Sequence, residues 1–151
     1  MRASLSVLFL LLPVVAMAQV KRTNPPALSS PTGYTHVVEV TGPVKTVYIS
    51  GQIAYDKDGK IAGAPGDMKA QAEQVFKNLK AAVEAAGGTM ADIIKMNVYL
   101  VAEVDTSEVP KFRAVRDRYV NVAKPPASTL LVVTRLARPG WLIEIEAVAA
   151  I

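Results

Sequence analysis

The stretch that decides the fold is residues 125–151, which read PPASTLLVVTRLARPGWLIEIEAVAAI. It contains two runs of branched and aliphatic residues, 128–136 and 141–149, and such runs are typical of β-strands. A Pro-Gly pair between the runs indicates a turn. In the second run isoleucines alternate with Glu144 and Glu146, so we expect both carboxylates on one face of the strand. Two acidic side chains on so apolar a strand indicate either a solvated sheet face with ion pairs or a polar group placed in a pocket.

The first residues have the pattern of a secretory signal peptide. Arg2 is followed by an apolar run, residues 5–15, and then by Ala16-Met17-Ala18, which fits the small-x-small cleavage rule. The apolar run is shorter than the roughly 20 residues that a membrane-spanning helix needs. The sequence therefore predicts a signal peptide at residues 1–18, cleaved after Ala18, and a periplasmic or secreted protein that is not held in a membrane.

Composition excludes several classes of function. The 151 residues carry a formal net charge of +4 with the basic residues scattered, which argues against a nucleic-acid partner. There is no cysteine, so disulfides, thiolate nucleophiles and cysteine-based metal sites are excluded. His36 is the only histidine, and the sequence has neither a Gly-x-Ser-x-Gly motif nor a phosphate-binding glycine loop. We expect no metal and no cofactor. The chemistry that remains is Glu144 or Glu146 acting on a water molecule as general base.

Strand and helix patterns alternate along the rest of the chain. We expect residues 19–31 to form a flexible arm and residues 32–151 to form one domain. Residues 35–40 and 45–50 are expected to pair as an antiparallel hairpin. The elements predicted after it are a helix at 67–86 capped by Asp67 and ended by Gly87-Gly88, one turn with a capping box of Thr89 and Asp92, a strand at 93–101, and a helix at 108–120 capped by Ser107. The order ββ-α-β-α-ββ favours an α+β sandwich with both helices on one face of the sheet.

A series of short motifs in this sequence resembles the RidA (YjgF) family. In chain order they are Gly33-Tyr34, Ser50-Gly51-Gln52-Ile53, Gln71 with Asn78-Leu79-Lys80, Glu84-Ala85-Ala86-Gly87, the strand at 94–100, Pro126-Ala127 and Ile143-Glu144-Ile145-Glu146-Ala147. Together they cover nearly the whole chain after the signal peptide. The resemblance implies a chorismate-mutase-like α+β fold with a mixed sheet. It also implies a homotrimer that binds small molecules in the clefts between its subunits.

The resemblance also implies an activity and roles for particular residues. The best-known branch of the family hydrolyses enamines and imines of amino acids to 2-keto acids and ammonia, without a metal or an organic cofactor. A glutamate that positions the water in that branch corresponds to Glu144, and a tyrosine and a serine that line the pocket correspond to Tyr34 and Ser50. The arginine of a Pro-Ala-Arg-Ser-Cys motif, which grips the substrate carboxylate, is replaced by Ser128, and the cysteine is replaced by Leu130.

The missing arginine changes the ligand that we expect. A serine hydroxyl cannot provide the bidentate, charge-assisted grip of a guanidinium on a carboxylate. Arg135 is an odd number of positions from Ser128 and is expected on the opposite face of the strand, and Arg138 reaches the pocket only if the following loop folds back. Ser128 and Leu130 therefore indicate a smaller, less charged and more apolar ligand.

Three functions are compatible with the sequence. The first is a deaminase-like hydrolase of a small enamine or imine that uses Glu144. The second is a non-catalytic small-molecule-binding or chaperone-like trimer that uses the same cleft, which the missing arginine and the signal peptide both favour. The third is a ribonuclease, a label that the family also carries, and the scattered charge argues against it.

Overall fold

Six strands and two helices make up the part of the chain that the computed structural model describes, residues 18–151. The strands are β1 (Gln19–Thr23), β2 (Val37–Thr41), β3 (Thr46–Gln52), β4 (Ile93–Val101), β5 (Ala127–Val133) and β6 (Ile143–Ala150), and the helices are α1 (Met68–Ala85) and α2 (Val109–Arg116). Apart from Ala18, the predicted signal peptide lies outside the described residues. Neither α1 nor α2 is long and apolar enough to cross a membrane.

The main sheet is mixed and has the strand order β3-β6-β4-β5. β6 is antiparallel to both of its neighbours, whereas β4 and β5 run parallel. The two final runs of the sequence are strands, as predicted, but β4 lies between them and they do not pair with each other. A parallel pair needs a long crossover connection, and α2 provides it between β4 and β5.

Both helices pack on one face of this sheet, as the element order predicted. α1 begins at Asp67, whose carboxylate accepts a hydrogen bond from the backbone N–H of Ala70 at 2.9 Å. It ends just before Gly87, whose φ of +88° is the left-handed conformation that stops many helices. Six apolar residues at helical spacing along it are all buried: Met68, Ala72, Val75, Phe76, Leu79 and Val83. The predicted capping box of Thr89 and Asp92 is also present.

The second helix is shorter than predicted, because α2 ends at Arg116 rather than near residue 120. Ser107 does not cap it. The backbone N–H of Ser107 donates instead to the carboxylate of Asp105 at 2.7 Å, within a 3₁₀ turn (Thr106–Glu108) that precedes the helix. The apolar face of α2 is nevertheless buried: Phe112 is buried, and its ring stacks on Phe76 of α1 with centroids 6.2 Å apart.

The hairpin predicted from residues 35–40 and 45–50 is wrong. β2 pairs with β1 in a separate two-stranded ribbon, where Lys21 lies opposite Glu39 and forms an ion pair at 3.0 Å. Part of the segment expected to be a flexible arm is therefore a strand. The outer edge of β3 carries no strand within residues 18–151. An alternating pattern specifies that a segment is extended, but it does not specify which edge the segment joins.

Candidate functional site

The Ser50-Gly51-Gln52 motif forms a β-bulge in β3. Two residues of β3, Ser50 and Gly51, stand opposite the single residue Glu146 of β6. The side-chain amide of Gln52 donates to the backbone carbonyl of Ser50 at 3.0 Å. The Gln52 side chain therefore provides a hydrogen-bond donor to a backbone carbonyl at the point where the bulge interrupts the hydrogen bonds between β3 and β6. Bulges re-aim side chains next to functional sites, and this one lies beside the two glutamates of β6.

Glu144 lies directly over this bulge. A Cβ added at Gly51 would meet Oε1 of Glu144 and would lie 2.8 Å from its Cδ, so the close approach of the carboxylate requires glycine at position 51. The Glu144 side chain is half-buried. No side chain in residues 18–151 donates a hydrogen bond to it. Both carboxylate oxygens can therefore accept from a water molecule or a ligand, as a general base must.

Glu146, two residues further along the same face, has a different environment. Its Oε1 accepts hydrogen bonds from the side-chain amide of Asn97 at 2.8 Å and from the hydroxyl of Tyr99 at 2.9 Å. These two donors, Asn97 first, hold the pKa of Glu146 below its ordinary value, although partial burial opposes them. The hydrogen bond to Glu146 likewise raises the pKa of Tyr99. Glu146 is thus a carboxylate fixed to β4, whereas Glu144 is open.

A cavity of about 310 Å³ opens beside these residues, on the sheet face that points away from the helices. It includes Ser50 and Glu146 but not Glu144, which lies against the adjacent Gly51. Lys95 also lines it, and its ammonium group donates to the hydroxyl of Thr129 at 2.7 Å. The full lining is Tyr48, Ile49, Ser50, Lys95, Asn97, Glu146, Ala147 and Val148.

Tyr34, Ser128 and Leu130 line a second cavity, of about 260 Å³, on the other side of the sheet. In the parallel pairing of β4 and β5, Ser128 lies beside Met96 and Leu130 lies beside Val98. Both β4 residues are buried beneath the helices. Ser128 and Leu130 therefore face the helices.

The five predicted site residues thus form two groups on opposite faces of one sheet. Ser50 and Glu144 are on the open face, and Tyr34, Ser128 and Leu130 are on the helix face. The resemblance implied that they meet in a cleft between subunits, and within a single chain the two groups do not come together.

The second cavity also contains two arginines that sequence reasoning missed, Arg113 and Arg116 of α2. They are three positions apart, a spacing that places two side chains on one face of a helix, and this was the available signal. Neither Arg135 nor Arg138, the two arginines considered as replacements for the missing one, lines either cavity.

A mixed four-stranded sheet with two helices on one face, and a site at the bulge of its edge strand, defines an α+β protein of the chorismate-mutase-like class. A family model described as Endoribonuclease L-PSP matches residues 23–151. This chain belongs to that family, the RidA/YjgF family, as its motifs indicated.

Relatives and solved structures agree with this assignment. A RutC family protein of Pyrococcus horikoshii is 42% identical over 104 residues, which are 68% of this chain and 77% of the relative. The crystal structure of the Rid family protein YyfB from Yersinia pestis has a TM-score of 0.78 and 32% identity, and the match covers 87% of this chain and 98% of that one. RidA from the Antarctic bacterium Psychrobacter has a TM-score of 0.62 and 35% identity, with 82% and 92% covered. The predicted family and fold are confirmed.

Proposed function

We propose that this protein is a cofactor-independent, deaminase-like hydrolase of a small enamine or imine, in which Glu144 holds and deprotonates the attacking water. The observation that carries the proposal is the carboxylate of Glu144, which lies over Gly51 without a donor from any side chain of residues 18–151. A general base needs an acceptor that other hydrogen bonds do not occupy. Glu146, with two donors, does not meet this requirement.

The reaction needs only water and a proton carrier. An enamine first tautomerises to its imine, and water then adds to the imine carbon while Glu144 takes a proton from the water. The same carboxylate returns that proton to nitrogen and gives a carbinolamine. It then transfers the proton of the new hydroxyl group to the nitrogen as the C–N bond breaks, so that ammonia leaves and the carbonyl forms. One imine and one water thus give one carbonyl compound and one ammonia. In this proposal the hydroxyl of Ser50, which is next to Gly51 on the bulge, holds the water or the leaving nitrogen.

We infer that the complete site contains residues from two copies of the chain. A small molecule cannot contact both Glu144 and Ser128 of one copy, because the sheet lies between them. Two features support association. The outer edge of β3 is unpaired within the described chain, and such edges pair readily with other chains. Tyr48 on that strand is 82% exposed, and exposed apolar groups mark interfaces. We propose the homotrimer that the family resemblance implies, with a small-molecule ligand between copies.

We also propose that residues 1–18 are a signal peptide and that the mature protein is periplasmic or secreted. The single basic residue, the apolar run and the small-x-small site support this. Full-length protein expressed in a bacterium with two membranes should be recovered from the periplasm or medium with Gln19 as its first residue. Recovery of the uncut chain from the cytoplasm would contradict it.

An imine-trapping assay tests the hydrolase. An amino-acid oxidase generates imines in the presence of semicarbazide, and the mature protein should reduce formation of the semicarbazone. Glu144→Gln should lower this activity by a factor of about 10² or more. Glu39→Gln, on the separate ribbon, is the control and should retain it. A Glu144→Gln variant that keeps the oligomer and full activity would refute the assigned base.

The second candidate is a non-catalytic small-molecule-binding or chaperone-like trimer, and Ser128 at the arginine position favours it. A trimer that binds small carbonyl compounds but does not accelerate loss of any imine would establish this function in place of the first.

A further inference from the structure

The cavity lined by Tyr34, Ser128 and Leu130 is positively charged, a property that its sequence motif does not show. Arg113 and Arg116 both line it, and no aspartate or glutamate does. Arg113 has no carboxylate within 4.0 Å in the described part of the chain. The cavity therefore offers two guanidinium groups and no acidic side chain to an entering molecule.

Arg116 is held in a fixed position at the wall of this cavity. Its side chain is only 12% exposed. On one side its Nε donates to Oδ1 of Asp117 at 2.9 Å, and its Nη2 lies 2.7 Å from the same oxygen in an ion pair. On the other side it packs against Gly33, where an added Cβ would lie 2.7 Å from both Cζ and Nη1. A guanidinium that is already ordered loses little conformational entropy when it binds a ligand.

One nitrogen of this guanidinium remains available. Nη1 of Arg116 has no acceptor within residues 18–151, and it is not among the buried polar atoms that lack a partner. It can therefore reach solvent or a molecule in the cavity. The small Ser128 side chain, where relatives with the Pro-Ala-Arg motif carry the arginine, leaves space there and adds a hydroxyl donor.

We propose that Arg116 binds a carboxylate of the ligand, with Arg113 at the rim and the hydroxyl of Ser128 as a further donor. This inference rests on the proposed function and specifies its substrate class. The positive charge comes from α2, which packs over the sheet, rather than from β5, which carries Ser128. The rest of the lining combines the hydroxyl groups of Ser30, Thr32 and Tyr34 with the apolar side chains of Val98, Phe112 and Leu130. The ligand that fits this lining is a small carboxylate with a second polar group and a short aliphatic chain. The proposed ligand is charged, and in this it differs from the ligand expected from Ser128 and Leu130 alone.

Binding of 2-oxobutanoate, measured by calorimetry on the mature oligomer, tests the proposal. Its methyl ester, which has the same chain without the charge, should bind at least tenfold more weakly. Arg116→Gln should weaken 2-oxobutanoate about ten- to a hundredfold, the range expected for a lost charge-assisted contact. Arg116→Lys keeps the charge but not the planar fork, and it should weaken binding less than Arg116→Gln does.

Asp117→Asn is the matched control, because it breaks the same ion pair from the other side. If Arg116 anchors the ligand, removal of the competing carboxylate leaves binding intact or strengthens it. Equal weakening by Asp117→Asn and Arg116→Gln would show that the ion pair acts only on structure, and it would overturn the proposal. Arg135→Gln, outside both cavities, should change nothing.

Binding and turnover are measured separately, so the two proposals fail in different ways. Arg116-dependent binding without any imine hydrolysis removes the hydrolase and leaves the carboxylate anchor in place. Absence of 2-oxobutanoate binding, or an unchanged dissociation constant in Arg116→Gln, overturns the anchor even if Glu144-dependent hydrolysis is observed.

Discussion

Two glycines with nearly equal positive φ angles but different surroundings give a direct test of the contact between Gly33 and Arg116. Gly33 has φ +76° and Gly59 has φ +75°. An added Cβ at Gly59 would meet nothing within 4 Å, whereas at Gly33 it would collide with the Arg116 guanidinium. The left-handed conformation costs a side chain about 1–2 kcal/mol at either position. Only Gly33→Ala must also displace Arg116 and its ion pair with Asp117, which adds about 1 kcal/mol.

Urea unfolding of the two alanine variants measures this difference. We expect the free energy of unfolding to fall by about 1–2 kcal/mol in Gly59→Ala and by about 1 kcal/mol more in Gly33→Ala. In an Arg116→Ala background the additional loss should disappear, so that the cost at Gly33 equals the cost at Gly59. Equal costs in the wild-type background, or an excess at Gly33 that persists without Arg116, would refute the contact.

Three further perturbations test the carboxylates and Tyr119. Gly51→Ala should push the Glu144 carboxylate aside and change the free energy of unfolding by less than about 1 kcal/mol, since a flexible side-chain end can move. Imine hydrolysis by this variant should fall towards that of Glu144→Gln. Full activity would contradict the contact between Gly51 and Glu144. The pKa of Glu146 is lowered from its ordinary value of 4.5. The charged carboxylate therefore stabilises the folded protein at pH values above that ordinary pKa, and this stabilisation is lost as the pH falls through the folded-state pKa. Glu146→Gln should therefore destabilise more at neutral pH than at about pH 3 in urea unfolding; equal losses would contradict this. Burial, and then the hydrogen bond to Glu73, raise the pKa of Tyr119 to about 12 from 10.0. Ultraviolet titration should therefore show the ionisation of Tyr119 near that pH, and Tyr119→Phe should remove this ionisation from the titration curve. The neutral hydroxyl stabilises the folded protein below pH 10, and this stabilisation is lost as the pH rises through the folded-state pKa.

Local sequence patterns predicted the helices and strands well, because each pattern indicates which side chains share one face of a single segment. The 3.6-residue period of α1 places its apolar side chains on a single stripe, and that stripe is buried. Asp67 and Gly87 set the ends of α1 through their own hydrogen bonding and backbone conformation. The partners of β2 and β5 were not predictable in this way, since an extended segment can join any edge that fits its register.

The candidate site was predicted in part. The alternation in β6 correctly placed Glu144 and Glu146 on one face, and the structure then separated an open carboxylate from one held by Asn97 and Tyr99. The family resemblance placed Ser128 and Glu144 in one cleft between subunits. It could not show that within one chain the sheet separates them, because the face on which a β5 residue lies depends on the parallel register of β5 with β4.

By itself, the sequence determined the family, the α+β class, the ends of α1, the strand at 93–101 and the two carboxylates of β6. All of these depend on side-chain periodicity, capping residues and short motifs that act within a few positions of the chain. Tertiary structure alone decided that β4 lies between the final strands, that β1 and β2 form a ribbon, and that Arg116 enters the cavity of Ser128. These features join residues that are distant in sequence, and their geometry is fixed by strand register and by the packing of α2, neither of which a local pattern specifies.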